Sequence, residues 1–235
     1  MDTLQELLER NAHHVNSLPE RHFADVQDGQ EPTAVSVCCP DSRVSQEGMW
    51  DVTEPGWLFA PSTIGNQVWD RHGGERVVDG SVLYPIAYTG TRTAVVVGHT
   101  GCGAVTAALE AVRGGERDAT GGGDGETPPG VAKWVDSLVP VVEAGLADDR
   151  VDPDREVGLV DQLVEYNVDR QAAFLRGSEE IPEDTDVYGF VYDFQRVYGD
   201  EPGRAYLVNA DGVTDADALR ERVPAELEGA VRRLL

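Results

Sequence analysis

The stretch Ala34-Val-Ser-Val-Cys-Cys-Pro-Asp-Ser-Arg43 joins a short apolar run to two thiols, a proline turn, a carboxylate and a guanidinium. A second stretch, Thr93-Ala-Val-Val-Val-Gly-His-Thr-Gly-Cys-Gly-Ala104, also runs from apolar residues into polar side chains. Both runs are short, rich in β-branched residues and bounded by turn residues, which predicts two buried parallel strands. We therefore expect an α/β fold, a single domain whose mainly parallel central sheet is flanked by helices.

The ends of these two predicted strands carry side chains that bind metals. Cys39, Asp41, His99 and Cys102 follow the apolar runs, and ligands of open α/β sheets collect at the carboxyl ends of strands. His99 and Cys102 stand three residues apart at the predicted start of a helix, a spacing that would direct both toward one metal ion. Two thiolates and one imidazole form a zinc ligand set that leaves a fourth position open. An open position favours catalysis over a structural role.

Both stretches resemble a known family. Cys39-Pro-Asp-Ser-Arg43 is similar to the C-x-D-S-R motif of the β-class carbonic anhydrases, and Gly98-His-Thr-Gly-Cys-Gly-Ala104 resembles their H-x-x-C motif followed by Gly-Ala. Each motif alone is weak, but together they are specific. The resemblance implies the β-carbonic anhydrase fold and a zinc cofactor held by Cys39, His99 and Cys102. It also implies a lyase activity, the reversible hydration of carbon dioxide to bicarbonate and a proton by zinc-bound hydroxide.

The same resemblance assigns a catalytic dyad to Asp41 and Arg43. Two roles for Asp41 stay open. In a closed state it would be the fourth zinc ligand and would exclude water. In an open state it would pair with Arg43 through a charge-assisted bond and accept the proton of zinc hydroxide. A closed four-ligand site that only stabilises the fold is the remaining alternative.

Four further residues match positions that bind substrate in the family. Gly29-Gln-Glu-Pro32 resembles the Gly-Gln-x-Pro that precedes the first strand in plant-type members, where the glutamine contacts substrate. The other matches are Phe59, Ile64 and Tyr84. For Gln30 the alternative is a turn residue, and for Phe59 and Ile64 it is packing in the core.

The chain also departs from the family pattern. Members with an inhibitory bicarbonate site use a tryptophan and an arginine where this sequence has Ser36 and Ser62, so we do not expect that regulation here. Ser81-Val-Leu-Tyr-Pro-Ile-Ala-Tyr88 resembles a family helix but carries Pro85. A proline inside a helix removes a hydrogen bond, which predicts a late start or a kink.

Residues 1–235 are expected to form one domain, since this length supports a single sizeable core. The predicted parts are a helical arm over 1–28, a Gly-rich loop insertion over 113–130 and a C-terminal helical tail over 213–235, interrupted at Pro224. In the family that the sequence resembles, the arm packs on a neighbouring subunit. The resemblance therefore implies a homodimer or a higher homo-oligomer.

The composition is strongly acidic. The formal net charge is −24 and the isoelectric point is near 4.3, which argues against nucleic acid or an anionic membrane surface as a partner. Lys133 is the only lysine among 19 basic residues. Many acidic residues with almost no lysine are typical of proteins from organisms that keep molar salt in the cytoplasm, so we expect a halophilic protein.

The three cysteines do not form a disulfide framework, because two of them are adjacent. A redox role for Cys38 and Cys39 is disfavoured because neighbours on a strand point to opposite faces. The sequence shows neither an apolar segment of membrane-spanning length nor a signal-peptide pattern, and we expect a cytoplasmic location.

Two rival functions remain for the expected small-molecule site. A hydrolase of carbon disulfide or carbonyl sulfide would use the same scaffold and ligands, with access to the site separating the substrates. A non-catalytic protein that binds zinc and bicarbonate would keep the ligands alone, and the matches at Gln30, Asp41, Arg43 and Tyr84 argue against it.

The charge predicts how stability responds to salt. At molar ionic strength the Debye length is only about 3 Å, so the repulsion among the acidic side chains is screened. We expect the melting temperature to rise by several degrees as potassium chloride is raised from dilute buffer toward molar concentration. Calorimetric melts across a salt series measure this, and a melting temperature that falls with salt would contradict the prediction.

Overall fold

The computed structural model describes residues 2–114 and 127–235. The strands are β1 Ala34–Cys38, β2 Leu58–Phe59, β3 Trp69–His72, β4 Glu75–Val78, β5 Thr93–His99, β6 Asp186–Asp193 and β7 Arg204–Ala210. The helices are α1 Thr3–Ser17, α2 Gln46–Met49, α3 Gly80–Tyr88, α4 Gly103–Val112, α5 Pro129–Leu146, α6 Leu159–Gly177 and α7 Ala216–Arg220. Two 3₁₀ helices cover Ala24–Val26 and Ala225–Ala230.

The central sheet has the strand order β2-β1-β5-β6-β7, and only β7 runs antiparallel to its neighbour. The two stretches that decide the fold lie side by side, with Val35 opposite Ala94 and Cys38 opposite Val97. The prediction of an α/β fold with a mainly parallel sheet is confirmed. Strands β3 and β4 form a separate two-stranded hairpin.

Helix α6 packs directly on β5, β6 and β7, and helices α4 and α5 pack against it. The close approach of α6 depends on Gly98. A Cβ atom there would lie 2.8 Å from methyl groups of Val164 and Val168, closer than packed carbon atoms come. The opposite face of the sheet is covered by residues of the segment 44–58 and by α7 with the residues after it.

The helix that contains Pro85 does not start late. Of the two alternatives predicted for it, the late start is therefore wrong. The helix begins at Gly80, because Asp79 caps it by accepting a hydrogen bond from the backbone of Ser81 at 2.8 Å. Burial of Val82 and Pro85 then anchors the helix in the core. Tertiary packing therefore offsets the hydrogen bond that the proline cannot make.

The prediction of a helical tail over 213–235 is wrong for most of its length. Helix α7 has five residues, a 3₁₀ helix follows Pro224, and Val231 then forms an isolated parallel bridge with Leu207 beside β7. Pro224 has no backbone N–H to continue a helix. Val231 itself has extended backbone dihedrals, and residues 232–235 after it lie in neither a helix nor a strand.

The segment after Val231 is held by a buried ion pair. Arg233 is 4% exposed in its side chain, and its Nη2 lies 3.1 Å from Glu165 Oε1 and 2.8 Å from Asp169 Oδ2, both on α6. An extended backbone allows this arginine to reach into the core between the two carboxylates. The ion pair therefore joins the C-terminal segment to the central helix.

Most of the predicted Gly-rich loop over 113–130 lies outside the described residues, and α5 already begins at Pro129. Within the described residues, no helix combines the length and the apolar character needed to cross a bilayer.

We expect Arg233→Met to lower the free energy of unfolding by about 3–5 kcal/mol, because it removes the buried cation of Glu165 and leaves Asp169 only a longer contact of 3.7 Å with Arg150. Urea unfolding at neutral pH measures this. The matched control is Arg10→Met, which removes an exposed pair with Glu6 that is 2.6 Å long and 73% and 46% exposed. The control should cost less than about 1 kcal/mol. Equal losses in the two variants would contradict the prediction.

Candidate metal centre and active site

The carboxyl ends of β1 and β5 bring three candidate ligands together. Cys39 follows the last residue of β1, His99 ends β5, and Cys102 lies just beyond it. One ligand atom from each of the three lies within 4.8 Å of the others, and the two Sγ atoms are 4.0 Å apart. All three face the same small volume at the sheet edge, as expected for parallel neighbours.

The helical spacing that the sequence suggested for His99 and Cys102 is wrong. His99 is the last residue of a strand, and Cys102 is the N-cap residue of α4. They are joined by a turn in which Gly101 has φ of +62°. A Cβ atom at Gly101 would also lie 2.6 Å from Gln195 Oε1, but that exposed side chain can move away, so it is the positive φ that favours glycine here.

His99 is completely buried, and its two ring nitrogens have different surroundings. Nδ1 lies 3.0 Å from the carbonyl oxygen of Thr100, an arrangement that places the ring proton on Nδ1. Nε2 is buried and has no hydrogen-bond partner among the described residues. Its lone pair therefore faces the two sulfurs, as a metal ligand requires.

The pKa values of the Cys39 and Cys102 thiols are shifted in opposite directions. The pKa of Cys39 is lowered to about 5, chiefly because the Cys102 thiol donates to its sulfur, and His99 and the Gly65 N–H act in the same direction against burial. The pKa of Cys102 is raised well above its ordinary value by that same hydrogen bond and by burial. One buried and one partly buried sulfur, beside a buried imidazole nitrogen that has no hydrogen-bond partner among the described residues, fit a divalent cation such as zinc.

Asp41 and Arg43 form a bidentate pair beside this group. Arg43 Nε donates to Oδ1 at 2.8 Å and Nη2 donates to Oδ2 at 2.6 Å, and the Arg43 backbone N–H adds a bond of 2.9 Å to Oδ1. These bonds hold the pKa of Asp41 well below its usual range. Asp41 Oδ2 is 3.7 Å from His99 Nε2, so the carboxylate lies at the edge of the candidate metal site.

A family model described as carbonic anhydrase matches residues 34–198, more than half of the chain. Carbonic anhydrase 2 of Mycobacterium tuberculosis is 35% identical over 128 residues, 54% of each chain. A carbonic anhydrase of Pseudomonas aeruginosa is 29% identical over 178 residues, 74% of each chain. The chain thus spans about half the length of the mycobacterial relative that it matches.

Solved structures show the same fold. A tetrameric β-carbonic anhydrase from Sordaria macrospora superposes with a TM-score of 0.67 at 20% identity, covering 89% of this chain and 98% of that one. The β-carbonic anhydrase of Coccomyxa, in complex with acetazolamide, gives 0.67 at 20% identity over 97% and 96%. The chain belongs to the β-class carbonic anhydrase family. Its fold is therefore that of a β-carbonic anhydrase.

In this family member, Cys38 points away from the candidate metal site. It is fully buried and packs with Ala34, Val95 and Val97 on the other face of the sheet. Burial raises its pKa to about 12, so it stays a neutral thiol. The prediction that Cys38 and Cys39 face opposite sides of their strand is confirmed.

The four predicted substrate-binding residues are spread around the site. Ile64 lies next to Gly65, whose N–H donates to Cys39 Sγ at 3.4 Å, and Phe59 packs on the same apolar cluster as Cys39. Tyr84 is 44% exposed, with its ring 6.1 Å from that of Phe59. Gln30 is exposed in a groove that none of the three candidate metal ligands lines.

Ser36 and Ser62, which stand where the family pattern has a tryptophan and an arginine, both contact side chains of this chain. Ser36 is fully buried, and Trp50 Nε1 donates to its hydroxyl at 3.4 Å. Gln46 Nε2 donates to the carbonyl of Pro61 at 2.9 Å and lies 3.4 Å from the hydroxyl of Ser62. Neutral polar side chains therefore occupy this region.

Sequence reasoning missed two anchors of the ligand turn. Asp161 on α6 accepts a hydrogen bond from the Gly101 N–H at 2.8 Å. Asp193, the last residue of β6, is fully buried and accepts from the Tyr198 backbone at 2.7 Å and from the Thr100 hydroxyl at 3.4 Å. The contacts of Asp161 and Asp193 with the turn join residues 60 and 93 positions apart, so nothing in the local sequence signals them.

Cys102→Ala is expected to abolish stoichiometric zinc binding, because two remaining protein ligands hold the ion poorly. Cys38→Ala is the matched control, since it removes a buried thiol of the neighbouring apolar cluster. Elemental analysis of both purified proteins, set against the wild type, measures zinc per chain. One zinc retained in Cys102→Ala, or lost in Cys38→Ala, would overturn the ligand assignment.

Proposed function

We propose that this protein catalyses the reversible hydration of carbon dioxide to bicarbonate and a proton at a zinc ion held by Cys39, His99 and Cys102. The observation that carries the proposal is the convergence of a buried sulfur, a partly buried sulfur and an unpaired imidazole nitrogen beside an ionised carboxylate. Three ligands and a neighbouring acceptor describe a reactive site with room for water.

A zinc ion bound there supplies Lewis acidity, which lowers the pKa of water so that a nucleophile is available near neutral pH. The residues of the chain supply orientation and a hydrogen-bond acceptor. Asp41 stays ionised because Arg43 donates to both of its oxygens, and the carboxylate is therefore able to accept a hydrogen bond from the attacking water. That hydrogen bond directs the lone pair of the water oxygen toward the carbon of the substrate.

Arg43 also decides where the Asp41 carboxylate lies. Because the guanidinium engages both Oδ1 and Oδ2, the conformation of this structure supports the open state, in which the carboxylate does not occupy the fourth metal position. The distance of 3.7 Å from Asp41 Oδ2 to His99 Nε2 is short enough that a modest shift would bring it there. We propose that both states exist and that only the open one is active.

We further propose that the active form is a homodimer or a higher homo-oligomer. Helix α1 has no buried residue, and four apolar side chains on it are 58–64% exposed. They are Leu4, Leu7, Leu8 and Val15. Covering such a helix face needs a partner of matching apolar character, and a second copy of the chain provides one.

The substrate-binding roles of Gln30, Phe59, Ile64 and Tyr84 belong to this proposal. Phe59 and Ile64 would provide apolar walls for carbon dioxide within one chain. Gln30 and Tyr84 are exposed in the single chain, so we propose that the second copy completes the pocket at which they act. We propose that the enzyme works in a salt-rich cytoplasm, a proposal that its acidic, lysine-poor composition supports, and molar potassium chloride is the appropriate assay medium.

Stopped-flow assay of carbon dioxide hydration, with carbon disulfide and carbonyl sulfide as rival substrates, tests the proposed function. Hydration of carbon dioxide that depends on zinc is the expected result. Hydrolysis of a sulfur compound without hydration of carbon dioxide would favour the hydrolase alternative. Zinc binding without any of the three activities would favour the non-catalytic alternative.

Asp41→Asn is expected to retain zinc and to lower kcat on the order of 100-fold, because the amide is a poor acceptor for the proton of the attacking water. Asp148→Asn is a matched control. Just after α5, Arg150 binds Asp148 with the same spacing of two residues. The Arg150 backbone N–H donates to Asp148 Oδ1 at 3.0 Å, and its Nε and Nη2 donate to Oδ1 and Oδ2 at 2.9 Å. The control should keep the wild-type rate. Full activity in Asp41→Asn would contradict the assigned role.

A further inference from the structure

The ring of Phe194 lies between the imidazole of a proposed metal ligand and the guanidinium of the catalytic dyad. Arg43 Cζ is 4.7 Å from the centroid of the Phe194 ring. The His99 ring lies 6.1 Å away on a nearly parallel plane, with an interplanar angle of 26°. Phe194 is therefore the aromatic side chain in contact with both halves of the site.

The backbone around Phe194 is fixed to the ligand turn. The carboxylate of the preceding residue, Asp193, accepts hydrogen bonds from the backbone of Gln195 at 3.0 Å and of Tyr198 at 2.7 Å. The Thr100 N–H donates to the carbonyl of Tyr192 at 3.1 Å, directly beside His99. Phe194 is therefore held in register with His99 by the same network that shapes the turn.

Arg43 has few other contacts that define its position. Its side chain is 50% exposed, and beyond Asp41 its only polar contact among the described residues is a long bond of 3.4 Å to the carbonyl of Gly101. A long flexible side chain in water samples many rotamers. A π face beneath the guanidinium attracts its charge and leaves the N–H edge free to face a carboxylate.

We propose that Phe194 is a positioning residue, which holds the Arg43 guanidinium so that it engages both oxygens of Asp41 and keeps the carboxylate out of the fourth metal position. Without the ring, Arg43 would release Asp41 more often, and the carboxylate would lie only 3.7 Å from the histidine lone pair that faces the metal. The catalytic part of this inference rests on the proposed hydration activity; the effect on the metal site does not.

The first test compares leucine with aromatic replacements in the zinc enzyme. Phe194→Leu keeps an apolar side chain without a π face, and kcat is expected to fall about three- to tenfold. Phe194→Tyr and Phe194→Trp keep the face and should stay within about twofold of the wild type. Phe190→Leu is the matched control on β6, since that ring packs on Trp50 at 5.1 Å instead. It should leave kcat unchanged.

The second test combines Phe194→Leu with Arg43→Gln. If the ring acts through the cation, Phe194→Leu causes no further loss of kcat once Arg43 has been replaced. A ring that only packs the site would lower kcat by the same factor in both backgrounds. That result, or a failure of tyrosine and tryptophan to preserve the rate, would overturn the inference.

A third measurement does not depend on activity. In the cobalt(II)-substituted proteins, the visible absorption spectrum reports the coordination of the metal. We expect Phe194→Leu and Arg43→Gln to shift it in the same way, and Phe194→Tyr and Phe190→Leu to leave it as in the wild type. If wild-type enzyme failed to hydrate carbon dioxide while these shifts appeared, the proposed function would fail and the positioning role would stand. An unshifted Phe194→Leu spectrum would refute that role.

Discussion

The parallel pairing of β1 with β5 is the constraint on which the rest of this structure depends. The register that sets Cys38 opposite Val97 places Cys39 and His99 beside each other just past the paired residues. Because side chains alternate along a strand, a slip by one residue would turn Cys38 toward the site and bury Cys39 on the other face. The β-branched runs on both faces of these strands fix the register, and the register determines which cysteine becomes a metal ligand as well as the fold.

Around that pairing, neighbouring charges and hydrogen bonds determine the protonation and the role of each polar side chain at the site. The hydrogen-bonded sulfurs of Cys39 and Cys102, together with the unpaired ring nitrogen of His99, attract a cation, while the adjacent carboxylate is kept ionised by a guanidinium. The turn between His99 and Cys102 is held through its backbone by Asp161 and through a side chain by Asp193. Charged groups on α6 and β6 thus fix a geometry that the ligands alone would not maintain.

Short sequence patterns predicted those parts of the molecule that depend on interactions between residues close together in the chain. Two apolar runs with turn residues at their ends predicted both strands, the parallel sheet and the group of side chains that meet at its edge. The positions of Asp161, Phe194 and Arg233 were not predictable, because each acts on a partner distant in sequence. The helical tail was predicted wrongly for the same reason: Arg233 meets carboxylates on α6, and no spacing within the tail reveals that contact.

The central claim is that two thiolates and one imidazole from these strand ends bind one zinc ion and leave one position to a light atom. X-ray absorption at the zinc edge, on protein in chloride-free buffer, tests it most directly. The account predicts two sulfurs at about 2.3 Å, one imidazole nitrogen at about 2.0–2.1 Å and one further nitrogen or oxygen neighbour. A shell of three sulfurs, which would include Cys38, or a shell without sulfur would contradict it.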